Sequence, residues 1–229
     1  MSHPFDLEPE FLDLYELCRE ATMTSIERMH ALWTATRYVA ANGIPGALVE
    51  CGVWRGGSVM LMAATLLRCG DTAREIWLYD TFDGMTEPGG DDVQAMSGRA
   101  AAEILRERAR TPDDPFWGIS PREVVEHNLR RTGYPFERFR FVEGDVAVTI
   151  PASAPAGIAL LRLDTDWYAS TRHELAHLYP RLHSGGVLIV DDYGYWRGAR
   201  KATDELLETL APRPLLHRID YTGRMCVKP

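Results

Sequence analysis

The chain has 229 residues and a formal charge of −8, with 33 acidic side chains against 25 basic ones, which fits one ordinary globular domain or at most two small ones. A chain this long buries roughly 70% of the surface its unfolded form exposes, so it needs no disulfide or metal staple to fold. The acidic balance argues against a nucleic-acid partner, whose phosphate backbone calls for clustered positive charge. Only Lys201 and Lys228 among the 25 basic residues are lysines, so schemes that need a mid-chain lysine, such as a phosphate-loop lysine or a Schiff base, have almost no candidate.

Cys18, Cys51, Cys69 and Cys226 are scattered without a CxxC pair and read as buried thiols in a reducing compartment. The opening Met-Ser-His-Pro-Phe-Asp-Leu-Glu lacks the basic and apolar blocks of a leader, and no apolar run approaches the ~20 residues that span a bilayer. The expectation is a cytoplasmic protein with no membrane partner.

In chain order, the first 43 residues carry helical periodicity, with Phe11, Leu12, Leu14, Tyr15 and Cys18 on one stripe. Thr24-x-x-Glu27 reads as a capping box for a second helix carrying Ile26, Met29, Trp33 and Ala40, which Asn42-Gly43 closes. From Ala47 short apolar runs alternate with helical ones. Strands are expected at 47–51, 75–79, 139–144, 158–164 and 187–192, with two late ones near 215–219 and 224–228. Helices are expected at 58–69, at 120–131 with Ser120 as cap and Pro121 at its first position, near 168–182 and near 198–210. Near-continuous apolar strands alternating with helices predict an α/β protein with a mostly parallel sheet covered on both faces. Residues 81–119 break the rhythm with Gly-Gly, Asp-Asp and Pro pairs around a short Ala-rich helix near 98–110. A connection of that length is either a disordered insertion or a functional lid.

In an open α/β sheet the ligand site lies beyond the carboxyl ends of the strands. The first strand runs into Glu50-Cys51-Gly52-Val53-Trp54-Arg55-Gly56-Gly57-Ser58, a glycine-rich turn entering a helix. The second ends in Asp80, where a carboxylate can accept from ribose hydroxyls, and the third in Glu143-Gly144-Asp145-Val146, a tight turn suited to an adenine edge. Three such ends suggest a nucleoside-containing cofactor. The GxGxxG spacing of dinucleotide sites is absent, and Glu50 stands where a pyrophosphate would approach. At ~5 Å and an effective dielectric near 20, each like-charge pair costs roughly 3 kcal/mol. S-adenosyl-L-methionine carries a sulfonium and an ammonium in place of phosphate, so Glu50 favours it; the plainer reading is a tight αβ connection with no ligand.

The fourth strand runs into Asp164-Thr165-Asp166-Trp167-Tyr168 and the fifth into Asp191-Asp192-Tyr193. If the two strands are neighbours, Asp164, Asp191 and Asp192 converge on the same sheet edge. Three close carboxylates repel one another, and a hard cation with oxygen ligands, Mg²⁺ rather than Zn²⁺, relieves the repulsion. Asp166 then stands nearby as a general base, or else caps the following helix. A competing pattern is His173-Glu174-Leu175-Ala176-His177, an HExxH match with His183 near the place of a third zinc ligand and Glu174 as base. Pro180 occupies the position where the extended motif needs glycine, and the segment falls where a crossover helix packs on a sheet face.

The motifs at 49–58, 80–85, 163–171 and 191–201 resemble the macrocin O-methyltransferase family, bacterial Mg²⁺-dependent enzymes that methylate deoxysugar hydroxyls in antibiotic biosynthesis; the resemblance runs from about Thr22 to Lys228. It implies a class I methyltransferase-like Rossmann sheet, mostly parallel with a late antiparallel strand. One domain over 1–229 is expected, with an N-terminal helical cap at 1–46 and a lid at 81–119. The resemblance also implies that Asp164, Asp191 and Asp192 hold the metal and that Asp166 takes the proton. Glu50, Gly52 and Ser58 fall around the methionine part of the cofactor, Asp80 on the ribose and Asp145 with Val146 near the adenine, with Phe82, Gly84, Gly144 and Asp164 as further cofactor-binding residues. Thr24 and Ser25 fall in a segment that closes over it. The implied reaction is S-adenosylmethionine-dependent methylation of a sugar hydroxyl on a glycosylated small molecule, by a homo-oligomer. Trp117 and Phe116 of the lid either exclude water and stack on a sugar or ring face, or pack locally. A phenolic acceptor, whose methylation in the catechol manner uses a lysine base absent near the fourth strand, and a cofactor-binding protein without turnover are the other readings.

Overall fold

The computed structural model describes residues 6–229; the first five, part of the stretch read above as lacking a leader, lie outside them. The elements in chain order are α1 (Pro9–Cys18), α2 (Ile26–Ala41), β1 (Ala47–Cys51), α3 (Gly57–Arg68), β2 (Ile76–Asp80), α4 (Ala101–Arg106), α5 (Arg122–Arg130), β3 (Phe139–Glu143), α6 (Val146–Thr149), β4 (Ile158–Leu163), α7 (Tyr168–Leu178), β5 (Leu182–Val190), α8 (Arg197–Thr209), β6 (His217–Arg218) and β7 (Arg224–Val227). The seven strands form one sheet in the order β3-β2-β1-β4-β5-β7-β6. The first five are mutually parallel and β7 runs antiparallel to both neighbours. This is the expected doubly wound α/β architecture, with chain order reversing between β1 and β4, where ligand crevices open.

The alternation of side chains along each strand divides the core. Leu48, Ile76, Leu78, Leu160, Val187 and Ile189 face α1, α2, α3 and α5; Val49, Cys51, Tyr79, Leu161, Leu163, Leu188 and Val190 face the layer of α6 and α7. Both faces of β1 and β4 are therefore largely apolar, which is why they read as near-continuous hydrophobic runs broken only by Glu50 and Arg162. α3 is buried along nearly its whole length because it lies between the sheet and the N-terminal helices.

Several boundaries differ from expectation for local reasons. Ser25, not Thr24, caps α2, its hydroxyl accepting from the Arg28 amide at 3.2 Å. Pro121 stands at the N-cap of α5, which begins at Arg122, and the Ser120 hydroxyl is buried without a partner. β5 begins at Leu182, five residues early: Gly185, at φ +80°, is accommodated within the strand. α7 stops at Leu178, and one 3-10 turn containing Pro180 leads into β5.

The insertion between β2 and α5 is tied to the body of the protein. Asp92 is buried, its carboxylate accepting from the Gly89 amide at 2.6 Å and from the Tyr168 amide at 2.7 Å. α7 has no capping side chain of its own, so the insertion supplies one. Gly198 makes room for it, since a Cβ there would lie 2.0 Å from Asp92 Oδ1. Gln94 bridges to Trp196, and the Trp167 indole donates to the Thr86 carbonyl at 3.0 Å.

Candidate functional site

At the carboxyl ends of β1 to β5 lies a cavity of about 370 Å³. Of the residues expected at a site, Thr24, Glu50, Gly52, Ser58, Asp80, Gly84, Gly144, Asp145, Val146, Asp164, Asp166, Asp191 and Asp192 line it. Ser25 and Phe82 do not. Ser25 caps α2 and donates to Asp220 at 2.8 Å, and Phe82 is buried against Phe141, ring centroids 6.1 Å apart.

At one end the Asp80 carboxylate organises two turns. Its Oδ2 accepts from the Val53 and Trp54 amides at 2.6 and 3.0 Å, and its Oδ1 from the Phe82 amide at 2.8 Å. Trp54 and Phe82 both adopt positive φ, 49° and 54°, conformations uncommon for non-glycine residues. Burial raises the Asp80 carboxyl above its ordinary range, opposed by these amides. Asp145 caps α6 by accepting from the Ala147 amide at 2.8 Å. Gly52, at φ +82°, brings the β1 turn against the β4 turn so closely that a Cβ there would lie 2.0 Å from the Asp164 carbonyl oxygen.

At the other end Asp164, Asp191 and Asp192 bring ligand oxygens within 4.8 Å of one another. Two arginines neutralise them. Arg162, 2% exposed, donates to Glu50 at 2.5 Å, Asp164 at 2.8 Å and Asp191 at 2.5 Å. Arg28 of α2 pairs with Asp191 and with Asp220, the latter at 3.1 Å, and Thr24 reaches Asp191 at 3.4 Å. Burial opposes the charge on Arg162, but its three carboxylates hold it ionised. Glu50 keeps one oxygen buried without a partner, as does Asp192. Burial raises Glu50 to about 8, against the pull of Arg162. Asp192 is pushed well up by burial and then by Asp166 and Asp164; Asp164 rises to about 6 by burial, against Arg162.

Asp166 stands beside this cluster at φ +67°, its Oδ1 accepting from the Trp196 indole at 2.8 Å. Burial, and next the charge of Asp164, push its carboxyl up to about 8. It does not cap α7, a role that falls to Asp92. Apolar side chains close this end: Met85, Phe116, Trp167, Tyr195, Trp196 and Tyr221. Phe116 lines the cavity as expected; Trp117 does not, and takes the Arg110 guanidinium over its ring at 5.4 Å.

Arg162, Arg28, Asp92, Tyr195 and Tyr221 carried no expectation. Arg162 left a trace: Glu50 and Arg162 each interrupt an apolar strand, and in the sheet they are register partners. Arg28 left none, since Asp191 lies 163 positions along the chain.

The HExxH pattern is not a metal site. His173 and His177 lie with ring centroids 4.4 Å apart and planes tilted by 57°, His173 Nε2 at 2.9 Å from the Ile150 carbonyl, while Glu174 is buried in the core. Gly157, not the other two histidines, abuts His183. Among the described residues the only group of three or more ligands is the aspartate trio.

The sheet order and the site at its carboxyl edge define a class I methyltransferase fold. The macrocin O-methyltransferase (TylF) family matches residues 17–228, and the chain belongs to that family. It is 39% identical over 172 residues, 75% of this chain, to the 8-demethyl-8-(2,3-dimethoxy-alpha-L-rhamnosyl)-tetracenomycin-C 4'-O-methyltransferase of Streptomyces olivaceus. It is 34% identical over 190 residues, 80% of this chain, to the demethyldecarbamoylnovobiocin O-methyltransferase of Streptomyces niveus. The matches span 62% and 66% of those relatives' lengths. The structure of the O-methyltransferase NovP superposes with a TM-score of 0.77 at 32% identity, covering 91% of this chain and 82% of that one.

Proposed function

We propose that the protein is an S-adenosyl-L-methionine- and Mg²⁺-dependent O-methyltransferase acting on a sugar hydroxyl of a glycosylated small molecule. The observation that carries this reading is the convergence of Asp164, Asp166, Asp191 and Asp192 with the β1, β2 and β3 turns on one cavity. The donor set fits both groups. Asp164, Asp191 and Asp192 offer oxygens alone, one of them on Asp192 buried and unpartnered, as a hard cation requires. Glu50, in the cavity wall, keeps a buried, unpartnered oxygen that suits a cationic donor, and Gly52 and Gly57 allow close backbone approaches, to the Asp164 and Ala21 carbonyls, that a Cβ would block. When bound, Mg²⁺ supplies a charge that makes a neighbouring hydroxyl more acidic. The S-adenosylmethionine sulfonium supplies an electrophilic methyl.

Asp166 would take the proton of the acceptor hydroxyl as that oxygen receives the methyl group. Burial raises this carboxyl above the ordinary carboxylate range, the direction that strengthens a general base. Trp196 orients Asp166 through its indole hydrogen bond. Asp80, already holding the Val53, Trp54 and Phe82 amides, shapes the ribose side, and Asp145 with Val146 the adenine side. The insertion at 81–119 acts as the lid over the acceptor, with Phe116, Tyr195 and Tyr221 excluding water. Relatives that act on rhamnosylated tetracenomycin and on novobiocin precursors favour a glycoside. A homodimer is the expected assembly.

Incubation with methyl-labelled donor and a panel of glycosides, with and without EDTA, tests the reading. Label transfer that EDTA abolishes is expected, with Asp166→Asn lowering kcat about 10²–10⁴-fold while donor binding by calorimetry persists. Transfer unaffected by EDTA would remove the metal, and wild-type kcat in Asp166→Asn would remove the base. Mg²⁺ should also raise the melting temperature of the wild type and leave Asp192→Asn unmoved.

A further inference from the structure

Glu174 is the glutamate of the HExxH pattern, and the proposed chemistry does not use it. His173 turns to the Ile150 carbonyl with His177 beside it, whereas Glu174 is 0% exposed on the sheet-facing side of α7 beside Leu175 and Leu178. A buried carboxyl is costly where an apolar side chain would pack without penalty, so its partners matter. They are the Thr165 hydroxyl, which donates to its two oxygens at 3.0 and 3.1 Å, and the Cys51 thiol. Strand alternation explains the meeting. Cys51 and Leu163 face α7, and Thr165 continues that side, while Glu50, Arg162 and Asp164 share the opposite ion-paired face. A side chain on α7 can therefore hold the β4 turn without entering the carboxylate cluster.

We propose that Glu174 is a positioning residue: its carboxyl group fixes Thr165, and with it the Asp164–Asp166 turn, against the Cys51 end of β1. The inference rests on the assignment of Asp166 as proton acceptor. Asp166 keeps a left-handed conformation that persists only where its surroundings over-determine it. The Thr165 carbonyl accepts from the Trp167 amide at 2.7 Å and from the Ser170 hydroxyl at 3.2 Å, both local contacts. The Trp196 indole holds the Asp166 carboxylate from α8's side. Glu174 ties the turn to the residue between Glu50 and Gly52, the part of the chain that faces the methyl donor. It thus sets the spacing between base and donor.

The test compares Glu174→Leu, Glu174→Gln and Thr165→Val with the wild type in two readouts. One is kcat and donor KM with an acceptor that the wild type methylates; the other is the ¹H–¹⁵N resonance of the Trp196 indole, with Trp33 as internal control. A shift of the turn by ~1 Å costs on the order of 10²-fold in rate. Glu174→Leu and Thr165→Val should lose kcat on that scale with donor KM little changed, and the Trp196 resonance should move while that of Trp33 stays. Glu174→Gln, which keeps an acceptor for Thr165, should restore both. Should Glu174→Leu fail to fold, the isosteric Thr165→Val carries the same readouts. Wild-type kcat and an unmoved Trp196 resonance in Glu174→Leu or Thr165→Val would overturn the proposal, as would Glu174→Gln as impaired as Glu174→Leu. A wild type that methylates no acceptor would remove the functional reading instead, and the Trp196 resonance would still decide the role of Glu174.

Discussion

The two ends of the cavity are both built on aspartates at strand ends, yet they neutralise them differently. Asp80 and Asp145 accept backbone amides from their own or the adjoining turn. Asp164 and Asp191 are held by guanidinium groups on β4 and α2, and Asp192 keeps a buried oxygen with no partner. Amides are fixed by the fold and cannot be exchanged without unfolding the turn. Charges brought by side chains can be redistributed when a cation arrives. The first end is a mould and the second a balance of charge.

The most severe way to break that contrast is Arg162→Met. It strands Glu50 and Asp164 without their buried counter-charge and leaves Asp191 to Arg28 alone, and losing one partner of a buried ion pair costs ~3–5 kcal/mol. Chemical unfolding in EDTA should show a loss of that order, partly recovered by added Mg²⁺. Recovery would mark the second end as cation-balanced; none would argue that Arg162 alone holds it.

Next comes the pH dependence of stability. Burial raises the Glu174 carboxyl from 4.5 to about 8, and each unit of such a shift is about 1.4 kcal/mol. The folded protein therefore binds this proton more tightly than the unfolded chain, so the contribution is full below about pH 4.5 and is lost as pH rises through 8. Urea unfolding without metal should show wild-type stability falling between pH 5 and 8, and Glu174→Gln falling less. Equal slopes would mean that Glu174 is ionised in the folded protein.

The smallest effect is expected from Asp80→Asn. The amide keeps one acceptor but loses the charge that serves three backbone N–H groups, a cost of ~1–3 kcal/mol. Its donor affinity should fall with the stability, because the mould itself loosens. An unchanged affinity for S-adenosylhomocysteine by calorimetry would detach Asp80 from the binding site.

What the sequence made legible follows the same division. The β1 and β4 runs and the placing of the aspartates beyond them depend on neighbours in the chain, so the trio Asp164, Asp191 and Asp192 could be read from strand-end positions before the sheet order was known. The capping of α2 was misread by one residue because Thr24 and Ser25 both offer a hydroxyl, and only the turn geometry selects Ser25. Arg28 and Asp92 were illegible for a different reason. Each acts on a group far along the chain, Asp191 and the Tyr168 amide, and neither stands in a local pattern that distinguishes it from a solvated surface charge. Arg162 lies between these cases, its polar interruption of β4 visible but its partner fixed only by register with Glu50.

The cap that Asp92 places on α7 bears on engineering. A graft that exchanged the whole insertion to redirect acceptor choice would remove a carboxylate from the start of the helix that follows the Asp166 turn, and would leave Gly198 facing a void. Chimeras spliced after Ala101, which keep Asp92 and the Gln94 bridge to Trp196, exchange Phe116 and the wall of the cavity while leaving the helix start intact. The practical boundary for swapping specificity thus lies inside the insertion, not at its ends.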